Sequence, residues 1–364
     1  MTALASVPTT TFRSPRENTA SQPPEAGGMQ RDGIRLLVAA ADRDIGFEHV
    51  RFRDIGRFLE AGDVLVVNTS ATVAAEVDAM SSRHGPVVVH VAAPLDDGSF
   101  VVEIRTAPDA ARPVLDAQIG DRLSIGPVSA ALLDPYPRTL SSPTGPGNRL
   151  WRAQVSGDLD AVLSMHGRPI AYGYLQERYP LSDYQTVFGH HPGSAEMPSA
   201  GRPFTPALVS ELVSAGVQFA PVLLHTGVSS QEAGEAPQPE RFSVEASTAD
   251  LVNAARRRGS RVVAVGTTAT RAIESATGSD GQVRTNSGWT DLVISPERPA
   301  RVVDGLVTGW HDPEASHLLL VESVAGTELT QQAYDAAVLH AYLWHEFGDS
   351  CLLLPRRDLA GARR

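Results

Sequence analysis

Val262-Val263-Ala264-Val265 is an apolar run that stops at Gly266-Thr267-Thr268 and resumes as Ala269-Thr270-Arg271-Ala272-Ile273-Glu274-Ser275. An apolar run broken by glycine and followed by a helix-compatible run constrains this part of the chain to strand, turn and helix. Such a junction aims first-turn backbone N–H groups, and here two hydroxyls, at one point, which suits an anionic or strongly polar ligand group. Arg271 and Glu274 lie three residues apart, so they share a helix face and can pair or grip a ligand. The same residues also fit a plain strand–turn–helix with a threonine N-cap.

The pattern around this junction alternates. Residues 63–68 and 217–224 read as buried strands, and 302–307 and 292–294 as further strands. Residues 158–166, 206–215, 249–258, 268–276, 316–324 and 330–347 read as helices. Residues 75–155 have a different texture. Short β-rich runs at 87–91, 100–104, 122–125, 128–133 and 150–155 are separated by turn signals and by a Ser/Pro/Gly stretch at 141–148. The expected fold class is an α/β main domain with an inserted small β-barrel domain. The expected division is a disordered leader over 1–28, the α/β domain over 29–74 and 156–364, and the barrel over 75–155.

Composition narrows the chemistry. The 364 residues include one cysteine, Cys351, which excludes internal disulfides and multi-cysteine zinc sites. All 31 basic residues are arginine, so neither a lysine Schiff base nor a P-loop lysine is available. A net charge of −11 argues against a nonspecific nucleic-acid coat, though local patches around Arg168, Arg178 and Arg202 remain candidates for RNA contact. No apolar run reaches the roughly 20 residues of a membrane span, and the N-terminus lacks a signal-peptide core, so a cytoplasmic protein is expected. GxSxG, GxGxxG and HExxH are all missing, and no metal is expected.

Loops after strands carry the sites of α/β domains, and four such segments stand out. Ser199-Ala200-Gly201 leads through Phe204 to Thr205, a natural N-cap ahead of Pro206. His225 and Gly227 follow one strand, Gly266-Thr267-Thr268 a second, and His311 a third. Histidine in such a place suits general acid–base work, or else simply packs.

In order along the chain, these segments resemble the S-adenosylmethionine:tRNA ribosyltransferase-isomerases of queuosine biosynthesis. The likeness begins with Arg31-Asp32-Gly33-Ile34-Arg35-Leu36-Leu37-Val38, Gly62-Asp63-Val64-Leu65-Val66-Val67-Asn68 and Tyr184-Gln185-Thr186-Val187-Phe188. It continues through the four loop segments and through Asp304-Gly305-Leu306-Val307-Thr308, and closes at Tyr334, Tyr342 and Phe347-Gly348-Asp349. The resemblance implies an α/β domain with an inserted barrel. It implies transfer and isomerisation of the ribosyl part of S-adenosylmethionine onto the 7-aminomethyl-7-deazaguanine base of the tRNA anticodon loop. The product is epoxyqueuosine, and adenine and methionine leave. S-adenosylmethionine is then a substrate, no metal is implied, and a monomer is expected. His225 or His311 can act as the base at ribose C5′, and Thr267 and Thr268 can serve departing adenine or the methionine carboxylate. Ser199, Gly201, Phe204, Thr205, Gly227, Gly266, Arg271, Glu274, Asp304 and Asp349 fall on the implied substrate-binding positions.

The chain departs from the family pattern in several places. Two arginines of the Asn-Asp-Thr/Ser-Arg-Val…Pro-Ala-Arg-Leu run are absent from residues 68–77, where Glu76 stands at one position. A histidine is replaced in Gly201-Arg202-Pro203-Phe204-Thr205. Both histidines are missing from Glu240-Arg241-Phe242-Ser243-Val244-Glu245. Ser230 and Gln231 replace Thr-Phe, and Glu314 occupies a basic position. Fewer basic residues weaken phosphate binding. They leave open two other expectations: an S-adenosylmethionine enzyme with a small-molecule acceptor, or a non-catalytic S-adenosylmethionine- or RNA-binding protein.

Overall fold

The strand of the Val262–Val265 run lies inside a nine-stranded sheet, flanked on both faces. The structure is a computed structural model describing residues 6–13, 16–41, 47–137, 147–229, 235–313 and 315–356; 141–146, Ser230, Gln231 and Glu314 lie outside the described residues. In chain order the first elements are β1 (Arg35–Ala40), β2 (Phe47–Arg51), β3 (Val64–Asn68) and β4 (Ser70–Thr72). The barrel strands follow: β5 (Glu76–Ser81), β6 (Gly85–Pro94), β7 (Phe100–Thr106), β8 (Arg122–Ile125), β9 (Val128–Pro135) and β10 (Leu150–Ser156). Then come α1 (Leu159–His166), β11 (His191–Ser194), α2 (Pro206–Ser214), β12 (Gln218–Leu224), β13 (Glu240–Val244) and α3 (Ala246–Arg258). The chain continues with β14 (Val262–Val265), α4 (Gly266–Ser275), β15 (Asn286–Thr290), β16 (Gly305–Thr308), α5 (Ser316–Ala325), α6 (Thr327–Leu339) and β17 (Ser350–Leu354).

The main sheet has the order β15-β13-β12-β3-β14-β16-β17-β1-β2. Its centre, β12-β3-β14-β16, is parallel. Parallel strands covered on both faces read as unbroken apolar runs, and every residue of β3 is buried. Val64 and Val66 pack into the core under α3–α6, whereas Leu65 and Val67 pack on the opposite face with Phe52, Ile55, Phe58 and Leu208.

β5–β10 close into an antiparallel barrel. Closure removes the exposed strand edges that a short insertion would otherwise leave. Val77, Val89, Ile104, Leu123 and Trp151 fill it, and Leu159, Val162 and Leu163 of α1 plug one side. Asp158 caps α1 by accepting from the Ala161 N–H at 2.9 Å. The fold is therefore the α/β domain with an inserted barrel expected from the sequence.

Three local expectations are corrected. The leader expected to be disordered makes specific contacts at several of its described residues. Thr9 and Thr10 donate N–H and hydroxyl groups to Glu322 Oε1 at 2.6–3.0 Å. Phe12 lies against Tyr334 and Trp344, with ring centroids 4.8 and 5.3 Å away. These anchors come from α5 and beyond, which local composition does not reveal. The helix expected over 330–347 ends at Leu339, and the chain turns through Ala341 (φ 51°) and His345 (φ 73°) into β17. Residues 292–294 form no strand; they run as an extended loop. No described helix is long and apolar enough to cross a membrane.

Candidate active site

The β14–α4 junction works because residue 266 is glycine. Its φ of 91° is in the left-handed region, and a Cβ there would stand 3.1 Å from the Ala200 Cβ. No side chain caps the start of α4, so its first N–H groups are not consumed by a threonine, unlike the plain capping alternative. The junction opens on a cleft of about 600 Å³. The cleft lies at the carboxyl ends of β12, β14 and β16, where open α/β sheets bind ligands. Gly266, Thr267 and Thr268 line it beside Ser199, Gly227, Arg271 and His311, and Arg105 of the barrel closes one side. Asn68, at the end of β3, donates from Nδ2 to Thr268 Oγ1 at 3.3 Å.

His311 is fixed in this cleft. Its Nε2 lies 2.9 Å from Thr308 Oγ1. Its ring stacks on His317 at 4.9 Å and 11°. Burial, then the neighbouring His317 and His345, hold His311 well below the ordinary histidine range. It is therefore neutral at neutral pH, the state a base requires. Burial, with Arg271 adding to it, likewise lowers His317 to about 4. His225 is placed differently and is not among the cleft-lining residues. Its Nδ1 lies 2.7 Å from Ser70 Oγ, which is 2.6 Å from Ser194 Oγ. A Cβ on Gly193 would come within 2.6 Å of the His225 ring, so the ring packs flat against that glycine.

Most of the other expected ligand residues hold the structure together. Arg271 does not pair with Glu274. It donates to Leu292 O at 3.0 Å and to Gln238 O and Thr290 O at 3.2 Å each, and it pairs with Glu240. Glu274 accepts the N–H groups of Arg301, Val302 and Val303 at 2.9–3.1 Å. Asp304 accepts the Val262 N–H at 2.9 Å. Asp349 binds Arg35 at 2.7 Å and the Leu343 N–H at 2.8 Å. Phe204 is fully buried, edge-on to Phe52 at 5.0 Å, and Thr205 caps α2 by accepting from the Leu208 N–H. Gly201 is buried in a 3-10 turn beside Ser199.

The three expected RNA-contact arginines are occupied too. Arg168 pairs with Glu76 and Asp78 at 2.6 Å each, and Arg178 with Glu76 at 2.6 Å. Arg202 is 3% exposed, pairs with Glu25 at 2.9 Å and lies over the Phe347 ring. The cleft also contains residues that sequence reasoning missed: Tyr172, Tyr174, Glu196, His317, His345 and Glu346. Glu196 accepts from the Ser229 N–H at 2.9 Å and from the Tyr172 hydroxyl. The only sequence signal for Glu346 is its place two residues ahead of Gly348-Asp349. Among the described residues no group of three His, Cys, Asp or Glu is placed to hold a metal ion.

The profile of the family described as "Queuosine biosynthesis protein" matches residues 8–353. The S-adenosylmethionine:tRNA ribosyltransferase-isomerase of Phenylobacterium zucineum is 35% identical, covering 94% of this chain and 97% of the relative. That of Xanthobacter autotrophicus is 31% identical, with 94% and 97% covered. The crystal structure of the S-adenosylmethionine tRNA ribosyltransferase of Thermotoga maritima superimposes with a TM-score of 0.52 at 28% identity, covering 95% of this chain and 99% of that one. With a cleft at the motif-bearing strand ends and a match running nearly end to end, the chain belongs to the S-adenosylmethionine:tRNA ribosyltransferase-isomerase family of queuosine biosynthesis.

Proposed function

We propose that the chain transfers and isomerises the ribosyl moiety of S-adenosylmethionine onto the 7-aminomethyl-7-deazaguanine base of tRNA, giving epoxyqueuosine and releasing adenine and methionine. The observation that carries this reading is that Gly266-Thr267-Thr268, a family motif, opens onto the same cleft as the neutral His311. A sulfonium acidifies the neighbouring ribose C5′–H, and His311 takes that proton. The His311 ring is held by Thr308 for this task. Adenine leaves with the electron pair of its bond to ribose C1′, and Thr267, Thr268 and the free N–H groups of α4 supply donors to leaving charge or to the methionine carboxylate. Such an enzyme works in the cytoplasm, where its tRNA is.

The test is adenine release from S-adenosylmethionine with and without tRNA bearing the aminomethyl-deazaguanine base. Release that requires this tRNA, with an epoxycyclopentane nucleoside formed, supports the reading. Tight S-adenosylmethionine binding with no turnover on tRNA overturns it. The carboxylate pairing of Arg168, Arg178 and Arg202 favours a second reading, a small-molecule acceptor; adenine release driven by the free deazapurine amine supports that one.

A further inference from the structure

We propose that Glu346 is the charge partner of the cationic part of S-adenosylmethionine, and that it gives up a proton to solvent when that cation enters the cleft. The proposal rests on the functional reading above and deepens it.

The geometry sets Glu346 apart from the other carboxylates near it. Glu274 has three backbone donors, Glu240 has Arg271, and Glu196 has Tyr172 and Ser229. Glu346 lines the cleft, and its Oε2 is buried with no hydrogen-bond partner among the described residues. The left-handed turn at His345 (φ 73°) places it there. A carboxylate with one oxygen buried and undonated is costly, so the ligand-free cleft favours the protonated acid.

The groups facing Glu346 agree with this. Burial first, then the negative charge of Glu196, push it up to about 8; Arg202 opposes both. Tyr172, Tyr174 and Tyr184 also feel its charge, and burial keeps all three protonated. His345, its chain neighbour, is lowered by burial and partly restored by Asp312. Among the described residues no cation pairs with Glu346, yet the substrate carries two, a sulfonium and an α-ammonium. Either one supplies the missing countercharge, and the carboxyl then ionises. The proton balance is simple: Glu346 loses its O–H proton to solvent, and no bond to the substrate forms or breaks. The same placement turns the methionine carboxylate away from Glu346 and toward the donors at Gly266-Thr267-Thr268.

The experiment is titration calorimetry of the full chain with S-adenosylmethionine at pH 7, in phosphate and in Tris, whose ionisation enthalpies differ. Close to a full proton is released per S-adenosylmethionine bound, and release fades above about pH 9 because the acid is then already ionised. His311, His317 and His345 are lowered and neutral, so they have no proton to give. Glu346→Gln abolishes the release and weakens S-adenosylmethionine binding about tenfold or more at pH 7. A thermal melt establishes that this variant is folded. S-adenosylhomocysteine distinguishes the two cations. Release with both ligands assigns the α-ammonium, and release with S-adenosylmethionine alone assigns the sulfonium. Binding without proton release, or a folded Glu346→Gln variant that keeps its affinity within about twofold, overturns the proposal and leaves the functional reading standing. No S-adenosylmethionine binding at all overturns the functional reading itself.

Discussion

On the outer face of the barrel, opposite its apolar filling, His90 lies 3.0 Å from Glu76 and 3.3 Å from Glu103. Arg105 and Arg149 reach Glu103 at 2.7 and 3.0 Å, and Arg149 continues to Glu235. Burial opposes ionisation here, but these partners win: Glu76 and Glu103 are held down at about 2, and His90 is raised. In the cleft, His311, His317 and Glu346 are half-buried and face neighbours of their own charge type, and each is driven toward its neutral form. The barrel groups are the more deeply buried and yet stay charged, so pairing decides the protonation state. Around the barrel, charge fixes a structure; at His311, His317 and Glu346 countercharge is withheld, which keeps these groups ready to exchange protons.

The comparison breaks most directly at Arg149. Arg149→Met leaves Glu103 and Glu235 short of a buried partner, and we expect a loss of ~3–5 kcal/mol in denaturant unfolding. A loss below ~1 kcal/mol would mean that the network is not a structural unit. The pH dependence follows from the same charges. Glu76 and Glu103 are depressed from 4.5 to about 2, so their contribution is complete above about pH 4.5 and is lost as pH falls toward 2. His90 is raised, so its contribution is complete below its ordinary value and is lost as pH rises through its folded value. Glu346 is a raised carboxyl, so ligand-free stability declines between about 4.5 and 8 as the unfolded chain ionises first. Melting curves of Glu346→Gln should lack that decline, and matching curves from pH 5 to 8 would refute it.

His311 and His225 sharpen the cleft side. His311→Ala is expected to slow adenine release by ~10²–10⁴-fold, with S-adenosylmethionine affinity little changed. His225→Ala is expected to cost ~1 kcal/mol of stability through the lost Ser70 contact, with a smaller effect on turnover. Reversed kinetic effects would return the base role to His225. A smaller effect is expected at the turn. Gly266→Ala is expected to cost ~1–3 kcal/mol, because residue 266 is left-handed and crowded by Ala200.

The two regions also differ in how readable they were. The barrel strands β6–β10 and the β14–α4 junction were legible because their signals are local: short β-rich runs between turn residues, and an apolar run ending in Gly-Thr-Thr. β5 was missed because Glu76 and Asp78 interrupt its apolar pattern, and the first of them is buried through its pairs with His90, Arg168 and Arg178. β17 was missed because its apolar run is leucine-rich and lacks the β-branched residues that mark the equally buried β3 as a strand. His311 could be found as a histidine directly after a strand. Glu346 could not, because its position depends on left-handed backbone at two non-glycine residues, Ala341 and His345. Arg271 and Glu274 were rightly placed on one helix, but their partners are backbone groups and a carboxylate from other segments, which spacing does not encode.

The smallest effect tests whether the barrel's charges extend to RNA. Arg178 is the most exposed of the three candidate arginines, with its side chain 42% accessible, and among the described residues its ion-pair partner is Glu76. Glu76 retains His90 and Arg168 when Arg178 is removed, so Arg178→Gln is expected to change stability by less than ~1 kcal/mol. If tRNA phosphate competes with Glu76 for Arg178, the slope of log affinity against log salt should become shallower by ~1, with uniformly weaker tRNA binding. Arg202→Gln serves as the contrast. Arg202 is buried under Glu25 and Phe347, so its removal should lower the melting temperature and leave the salt slope unchanged. A slope change at Arg202 and none at Arg178 would show that RNA binds on the sheet side of the cleft and not along the barrel.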